Sequence, residues 1–267
     1  MTVARIYVLF YKNGTIVKND DLYTPLMAGN HRTKNKTGIS GDNTADNISE
    51  KNKYYSELTG HYWIWKNTEQ EIVGTCHYRR FFAGRNEPII YRIKRLFYYP
   101  VGLYKKRAGL IYTSRVNFWE KRILGKDQLL NLLEKYDAIL PQPRILRYSV
   151  KEHYRRYHNL DDLKLLEAII LEKHPEYLQA LNDVLKSNQL YANNMFILKN
   201  QHFQEFMSWL FDILFEFEKR AVLSDYAGYQ ERVLGFIAER LLNVWFRKKS
   251  MNCLELKVVY FKNLKFE

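Results

Sequence analysis

Three stretches of the chain carry side chains whose types and spacing could do chemistry. The first, IVGTCHYRRFF at residues 72–82, begins as a buried strand and ends, with no turn signal, in His77, Tyr78, Arg79 and Arg80. In an open α/β sheet ligands bind at the carboxyl ends of the strands, so a histidine and two arginines there are placed to clamp a pyrophosphate. Strand alternation sets His77 and Arg79 on one face and Tyr78 and Arg80 on the other, so one ligand is not expected to meet them all. The same residues also read as an edge of solvated charge with a satisfied histidine.

The second stretch is GDNTADNISEKN at residues 41–52, where Asp42, Asn43, Asp46 and Asn47 crowd just ahead of a helix start. Backbone N–H groups and the helix dipole favour an anion such as a phosphate at that place. The carboxylates would repel a phosphate but suit a ribose hydroxyl or a ring N–H, so the two chemistries together fit a nucleoside diphosphate. A plain turn followed by Ser49 as N-cap is the competing reading. The third stretch, YQERVLGFIAERL at residues 229–241, places Arg232 and Glu239 about two helical turns apart on the face opposite Val233, Ile237 and Leu241, with Glu231 further round. A carboxylate there would serve as general base toward a hydroxyl nucleophile, and a surface salt bridge is the alternative.

Other patterns exclude chemistry. In HYRRYH the two histidines, His153 and His158, stand five apart and share no helical face, and HExxH is missing, so no zinc site is expected. GxGxxG, the P-loop and GxSxG are likewise missing, which argues against Rossmann oxidoreductases, P-loop kinases and serine hydrolases.

The elements that must position these residues follow from periodicity. RIYVLF at 5–10 predicts a buried first strand, and a polar loop over 28–49 leads to a helix from Glu50 with Tyr54, Leu58, Tyr62 and Trp65 in phase. A strand over 72–76, a helix near 126–136, a strand DAIL at 137–140 and two or three helices over 150–186 come next. A strand NMFIL at 194–198 precedes two amphipathic helices, marked by Phe203 to Phe217 and by Val233 to Val244, and a final strand lies near LKVVYF. Strands alternating with helices predict an α/β sandwich, and the lack of repeats or linkers predicts one domain over 1–267 with an insertion at 86–125.

Composition limits the partners. With 46% hydrophobic residues in 267 the chain can bury one large or two small cores, and 42 Lys and Arg against 29 Asp and Glu, net +13, predict an anionic partner: nucleic acid, sugar nucleotide or membrane surface. Residues 91–122 interleave aromatics with nine basic side chains and one acid and supply most of that excess. Two cysteines without CxxC spacing predict a reducing, cytoplasmic setting. The amino terminus lacks a signal-peptide pattern and no 18-residue apolar window occurs, so neither export by that route nor a membrane span is expected.

Taken in order, GDNTADNISEKNKYYSELTGHYWIWKN, IVGTCHYRRFF, YDAILPQPR, NNMFILKNQHFQEFMSWLFDILFE and ERVLGFIAERLL resemble a family of bacterial capsular and exopolysaccharide glycosyltransferases, long catalogued as a domain of unknown function. The resemblance covers nearly the whole chain, and its first two blocks are the most specific. It implies a glycosyltransferase A-like (Rossmann-like) α/β sandwich with a basic aromatic-rich insertion and a helical C-terminal part: a nucleotide-sugar-binding half over 1–85, the insertion, and an acceptor-binding half over 126–267. The implied donor is a UDP-hexose such as UDP-galactose, pyranose or furanose. The implied acceptor is a polyprenyl-diphosphate-linked sugar or other glycan at the inner face of the cell membrane, with no nucleic acid involved.

On that footing the donor-binding residues are Asp42, Asn43, Asp46, Asn47, His77, Arg79, Arg80 and Arg232. Glu231 or Glu239 is the base, with Asp46 the alternative, and Asn194 and Met195 face the acceptor. Many A-type enzymes hold a divalent metal with Asp-x-Asp at this strand end; here HYRR stands instead, and its cations would neutralise the leaving UDP, so weak or absent dependence on Mn or Mg is expected. Arg92, Lys94, Arg95, Lys105, Lys106 and Arg107, with Phe97, Tyr98 and Tyr99, are the expected contacts to an anionic membrane, or else a basic loop that touches nothing. Two rival readings are a nucleic-acid-binding protein, which leaves the acidic loop unexplained, and an inactive lipid-associated scaffold.

Overall fold

A computed structural model of the chain describes residues 3–31, 38–90, 93 and 109–266. Its centre is one sheet in the order β11-β7-β10-β4-β1-β2-β3. The strands are β1 (Ala4–Phe10), β2 (Tyr23–Met27), β3 (Ser40–Gly41), β4 (Ile72–His77), β7 (Ala138–Pro141), β10 (Phe196–Lys199) and β11 (Cys253–Leu256). All run parallel except β10, which is antiparallel to both β4 and β7. The amino end of β10 therefore meets the carboxyl ends of β1, β4 and β7 at one edge.

A short hairpin at the end of β4 leads through β5 (Arg80–Phe82) to β12 (Val258–Lys265), which also pairs β6 (Leu110–Arg115). Thus the second half of the stretch expected to be an insertion is part of the sheet, and Val116, Trp119 and Leu124 beyond it are fully buried. The basic residues Arg92, Lys94, Arg95, Lys105, Lys106 and Arg107 lie outside the described residues. Pro25 hides β2 from the sequence, since proline is depleted in strands; β3 covers only Leu26 and Met27, which leaves Pro25 unpaired on its outer side.

Strand alternation divides the apolar residues between two cores. Tyr7, Leu9, Val73, Leu140, Phe196 and Leu198 face a core built with helices α2 (Leu58–Asn67), α6 (Asp161–Lys173), α7 (Leu178–Lys186), α8 (Asn200–Arg220) and α9 (Val233–Lys249). Ile6, Val8, Phe10, Cys76, Ile139 and Ile197 face the other, closed by α3 (Val116–Glu120) and α4 (Lys126–Leu133). Both sheet faces are covered, which is why β1, β4 and β7 are nearly continuous apolar runs. No helix among the described residues is long and apolar enough to cross a membrane.

The helix expected from Glu50 is broken. A 3-10 turn over Ser49–Lys51 and α1 (Asn52–Tyr55) stop at Ser56, whose φ of 52° and ψ of −130° no helix accepts, before α2 resumes. Ser49 caps nothing; its hydroxyl donates to Asp42 at 2.6 Å.

Gly74, in the middle of β4, has Ile6 and Ile197 side-chain atoms within 2.9 Å of where a Cβ would stand. Replacing Gly74 by Val is expected to overpack the sheet and cost about 1–3 kcal/mol, measured as a lower urea midpoint with an unchanged slope.

Candidate active site

The edge where β10 begins and β1, β4 and β7 end holds a partly open cavity of about 250 Å³. Its wall carries four arginines (Arg80, Arg144, Arg232 and Arg240), two carboxylates (Glu57 and Glu239) and three histidines (His77, His153 and His158). A larger open groove of about 1410 Å³ lies at the opposite sheet edge, beside Val3, Ile72 and Lys199, away from where open α/β sheets bind ligands.

The hairpin places His77 and Arg80 together. They pair directly across the strands, with Tyr78 and Arg79 as the two-residue turn, so the simple alternation that put His77 with Arg79 fails at the turn. Arg79 instead donates to the Lys262 carbonyl at 2.8 Å, outside the cavity, and Tyr78 is buried beside Phe10 and Tyr11. His77 Nε2 donates to the Asn193 carbonyl at 2.7 Å, which leaves Nδ1 bare. Burial, then the Arg80 charge, pushes the His77 ring down to about 4, so it is neutral at pH 7.

Asn193 and Asn194, just ahead of β10, both have positive φ, 74° and 48°, a conformation that asparagine tolerates better than other side-chain-bearing residues. The Asn193 N–H donates to Glu239 Oε1 at 2.8 Å and its Oδ1 accepts from Arg144 at 3.2 Å. The Asn194 amide donates to Glu57 Oε1 at 2.9 Å, and its carbonyl accepts from the Thr75 hydroxyl at 3.1 Å. Asn194 is buried and occupied in holding Glu57, while Met195 is fully buried in the core, so neither faces a site as an acceptor contact would.

Arg232 donates through Nε to Ser56 Oγ at 2.9 Å and through Nη2 to Glu57 Oε2 at 3.3 Å. The break at Ser56, where φ is positive, presents that hydroxyl to Arg232. Burial works to raise the Glu57 carboxyl, but the Arg232 guanidinium and the Asn194 amide outweigh it and hold it below the usual carboxylate range. Glu57 was not read from the sequence as a site residue. Its signal was there: Glu57 and His61 stand four apart beside the apolar stripe of Leu58 and Tyr62, which buries both.

Glu239 and Arg232 both line the cavity, as their shared helical position predicts. Glu231 turns outward to Lys53 at 3.4 Å and does not line the cavity, so it is no base for it. The acidic loop also departs from expectation. Asp42 is fully buried and accepts from the Gly29 and Asn30 N–H groups at 2.8 and 3.0 Å and from Ser49, so it locks the loop and has no face for a ribose. Asn43 accepts from the Asn30 amide, and Asn47 bonds only within its own turn, to Ala45 and Ser49. Asp46 is tied to Tyr62 and Asn67. Asp46 is not among the residues that line the cavity, so it is no base for it.

Among the described residues no group of three or more His, Cys, Asp or Glu side chains is placed to hold a metal ion.

This sheet, with one reversed strand and a polar cavity where that strand begins, has the fold of a glycosyltransferase A-like protein. The chain belongs to the family described as domain of unknown function DUF4422, which matches residues 5–250. It superposes on the apo structure of WbbM, a bifunctional glycosyltransferase, with a TM-score of 0.83 and 28% identity. The match covers 99% of this chain and 46% of that one, so the chain spans about half the length of that protein. No curated protein sequence matches the chain.

His77 and His153 are both held down to about 4, against 6.5 for a free imidazole. Between those values the unfolded chain binds more protons than the folded one, so stability is complete above 6.5 and is lost as pH falls toward 4. Urea unfolding at pH 7, 6 and 5 is expected to show this loss, at up to about 1.4 kcal/mol per pH unit for the buried His77 and less for the half-buried His153, whose shift solvent screens, with a shallower slope in His77→Gln.

Proposed function

We propose that the chain is a glycosyltransferase that moves a hexose from a UDP-sugar to a hydroxyl of a glycan or polyprenyl-diphosphate-linked acceptor in the synthesis of a cell-surface polysaccharide. Supporting this are the likeness to a glycosyltransferase over 99% of the chain and a cavity that sets carboxylates among arginines. The observation that carries the chemistry is Glu239. Its Oε1 accepts from the Asn193 N–H at 2.8 Å and its Oε2 from Arg240 at 3.3 Å, and its side chain keeps 22% exposure, against 11% for Glu57. Glu57 is held by Asn194 and Arg232 and serves to position Arg232.

In this reading the acceptor hydroxyl gives its proton to Glu239 as its oxygen attacks the anomeric carbon. The bond from that carbon to the diphosphate oxygen breaks and its electron pair leaves with UDP. Attack opposite the leaving group inverts the anomeric centre. In this reading Arg80 and Arg232, which line the same cavity, neutralise the charge that develops on the departing diphosphate, the task that a divalent cation performs elsewhere. Galactose, as pyranose or furanose, is the sugar the family resemblance favours, and the excess of +13 suits a place against the anionic inner face of a membrane.

Glu239→Gln is expected to lower kcat for UDP release from UDP-galactose by about 10²–10⁴-fold while leaving UDP affinity within twofold. Calorimetry with UDP and a coupled UDP-release assay check both; full activity in the variant would remove Glu239 as base, and no UDP binding to the parent protein would overturn the reading.

A further inference from the structure

We propose that Arg144, His153 and Arg240 form an oxyanion receptor in the cavity wall, and that it takes a phosphate of a bound substrate. The inference rests on the transferase reading for the identity of that substrate, but not for the presence of the site. None of the three residues stood out in the sequence as a ligand contact.

Arg240 is 1% exposed, yet it lines the cavity. Its Nη1 donates to the Phe236 carbonyl at 2.9 Å and meets Glu239 at 3.3 Å, and its guanidinium lies 4.8 Å from the Tyr154 ring centre. Its Nε has no partner. A buried guanidinium N–H left unmet is costly, and a phosphate in the adjoining cavity would meet it. His153, on the helix α5 (Val150–Tyr157), adds a second orphan, since its Nδ1 is also buried and unpartnered. Arg144 completes the set from β8 (Arg144–Ile145), held at its outer end by Asn193 Oδ1, a neutral acceptor.

Charge points the same way. Glu57 is taken by Arg232 and Glu239 lies against Arg240, whereas Arg80 and Arg144 have no carboxylate within ion-pair distance among the described residues. A recess with two guanidiniums that no carboxylate pairs attracts an anion of matching charge, and guanidinium forks match phosphate oxygens. The histidine serves as a donor that adds no positive charge while the site is empty. Burial first, then Arg240, His158 and Arg144, holds the His153 ring down to about 4. A phosphate among those cations offsets their field, so the same ring takes up a proton more readily when the site is filled.

The test titrates the parent protein, Arg144→Ala and His153→Gln with inorganic pyrophosphate, UDP, uridine and farnesyl diphosphate by calorimetry. Arg240 is too deeply packed for a first variant, so Arg144 and His153 carry the test. Pyrophosphate is expected to bind the parent protein and to lose roughly tenfold or more in Arg144→Ala. A parallel loss for UDP, with uridine unaffected, assigns the receptor to the donor, and a loss for farnesyl diphosphate alone assigns it to the acceptor. In the His153 Cε1 resonance, the titration midpoint is expected to move up when pyrophosphate is bound, which a merely structural histidine would not do. Equal affinity of all three proteins for every phosphate ligand overturns the receptor while leaving the transferase reading intact. Pyrophosphate binding that depends on Arg144, in a protein that ignores UDP, upholds the receptor and sinks the transferase reading.

Discussion

The joint on which the site depends is the pair of asparagines ahead of the reversed strand. Through backbone and side chain, Asn193 touches Glu239, His77 and Arg144, and Asn194 reaches Glu57 and Thr75. Those partners come from both sides of the sheet edge. A left-handed turn of two residues aims an N–H one way and a carbonyl another within a single step of chain, which an extended or helical dipeptide does not do. Asparagine enters that conformation at lower cost than other residues with a side chain and adds an amide of its own.

Around this joint, burial and charge are balanced in a particular manner. The cavity collects four guanidiniums but keeps its imidazoles neutral, because withdrawal from water and the nearby arginines both work against a further positive charge. The two carboxylates differ in exposure: each holds one close and one 3.3 Å donor, but the Glu57 side chain is 11% exposed and that of Glu239 22%.

Much of this architecture was legible in the sequence, and the exceptions have physical causes. The apolar strands β1, β4 and β10 and the long amphipathic helices announce themselves by local period, and the sheet edge that carries the cavity follows from strand direction. His77, Arg80, Arg232 and Glu239 could be chosen because their residue types are odd for their positions. What failed was pairing across long separations. That Asp42 is spent on the Gly29 and Asn30 N–H groups, that Arg79 turns to Lys262, and that Glu231 turns to Lys53 depend on neighbours no local window contains. Met195 was misplaced for a simpler reason: it adjoins a polar pair in sequence, but the chain has re-entered the sheet by that residue. The helix break at Ser56 has no glycine or proline to mark it, and it is held by the Asn52 amide bonding the Ser56 carbonyl at 2.6 Å.

The cavity draws its wall from residues near 57, 77, 144, 193 and 239, and no two of these neighbourhoods are close along the chain. Contacts of such sequence separation form late, because the intervening loops must close before the contacts reward them. A partly folded chain can own the first strands and several helices and still have no site. Occupancy therefore reports the last docking step of folding, and a ligand that binds there acts as a clasp on the completed molecule, shifting the whole equilibrium toward it by mass action.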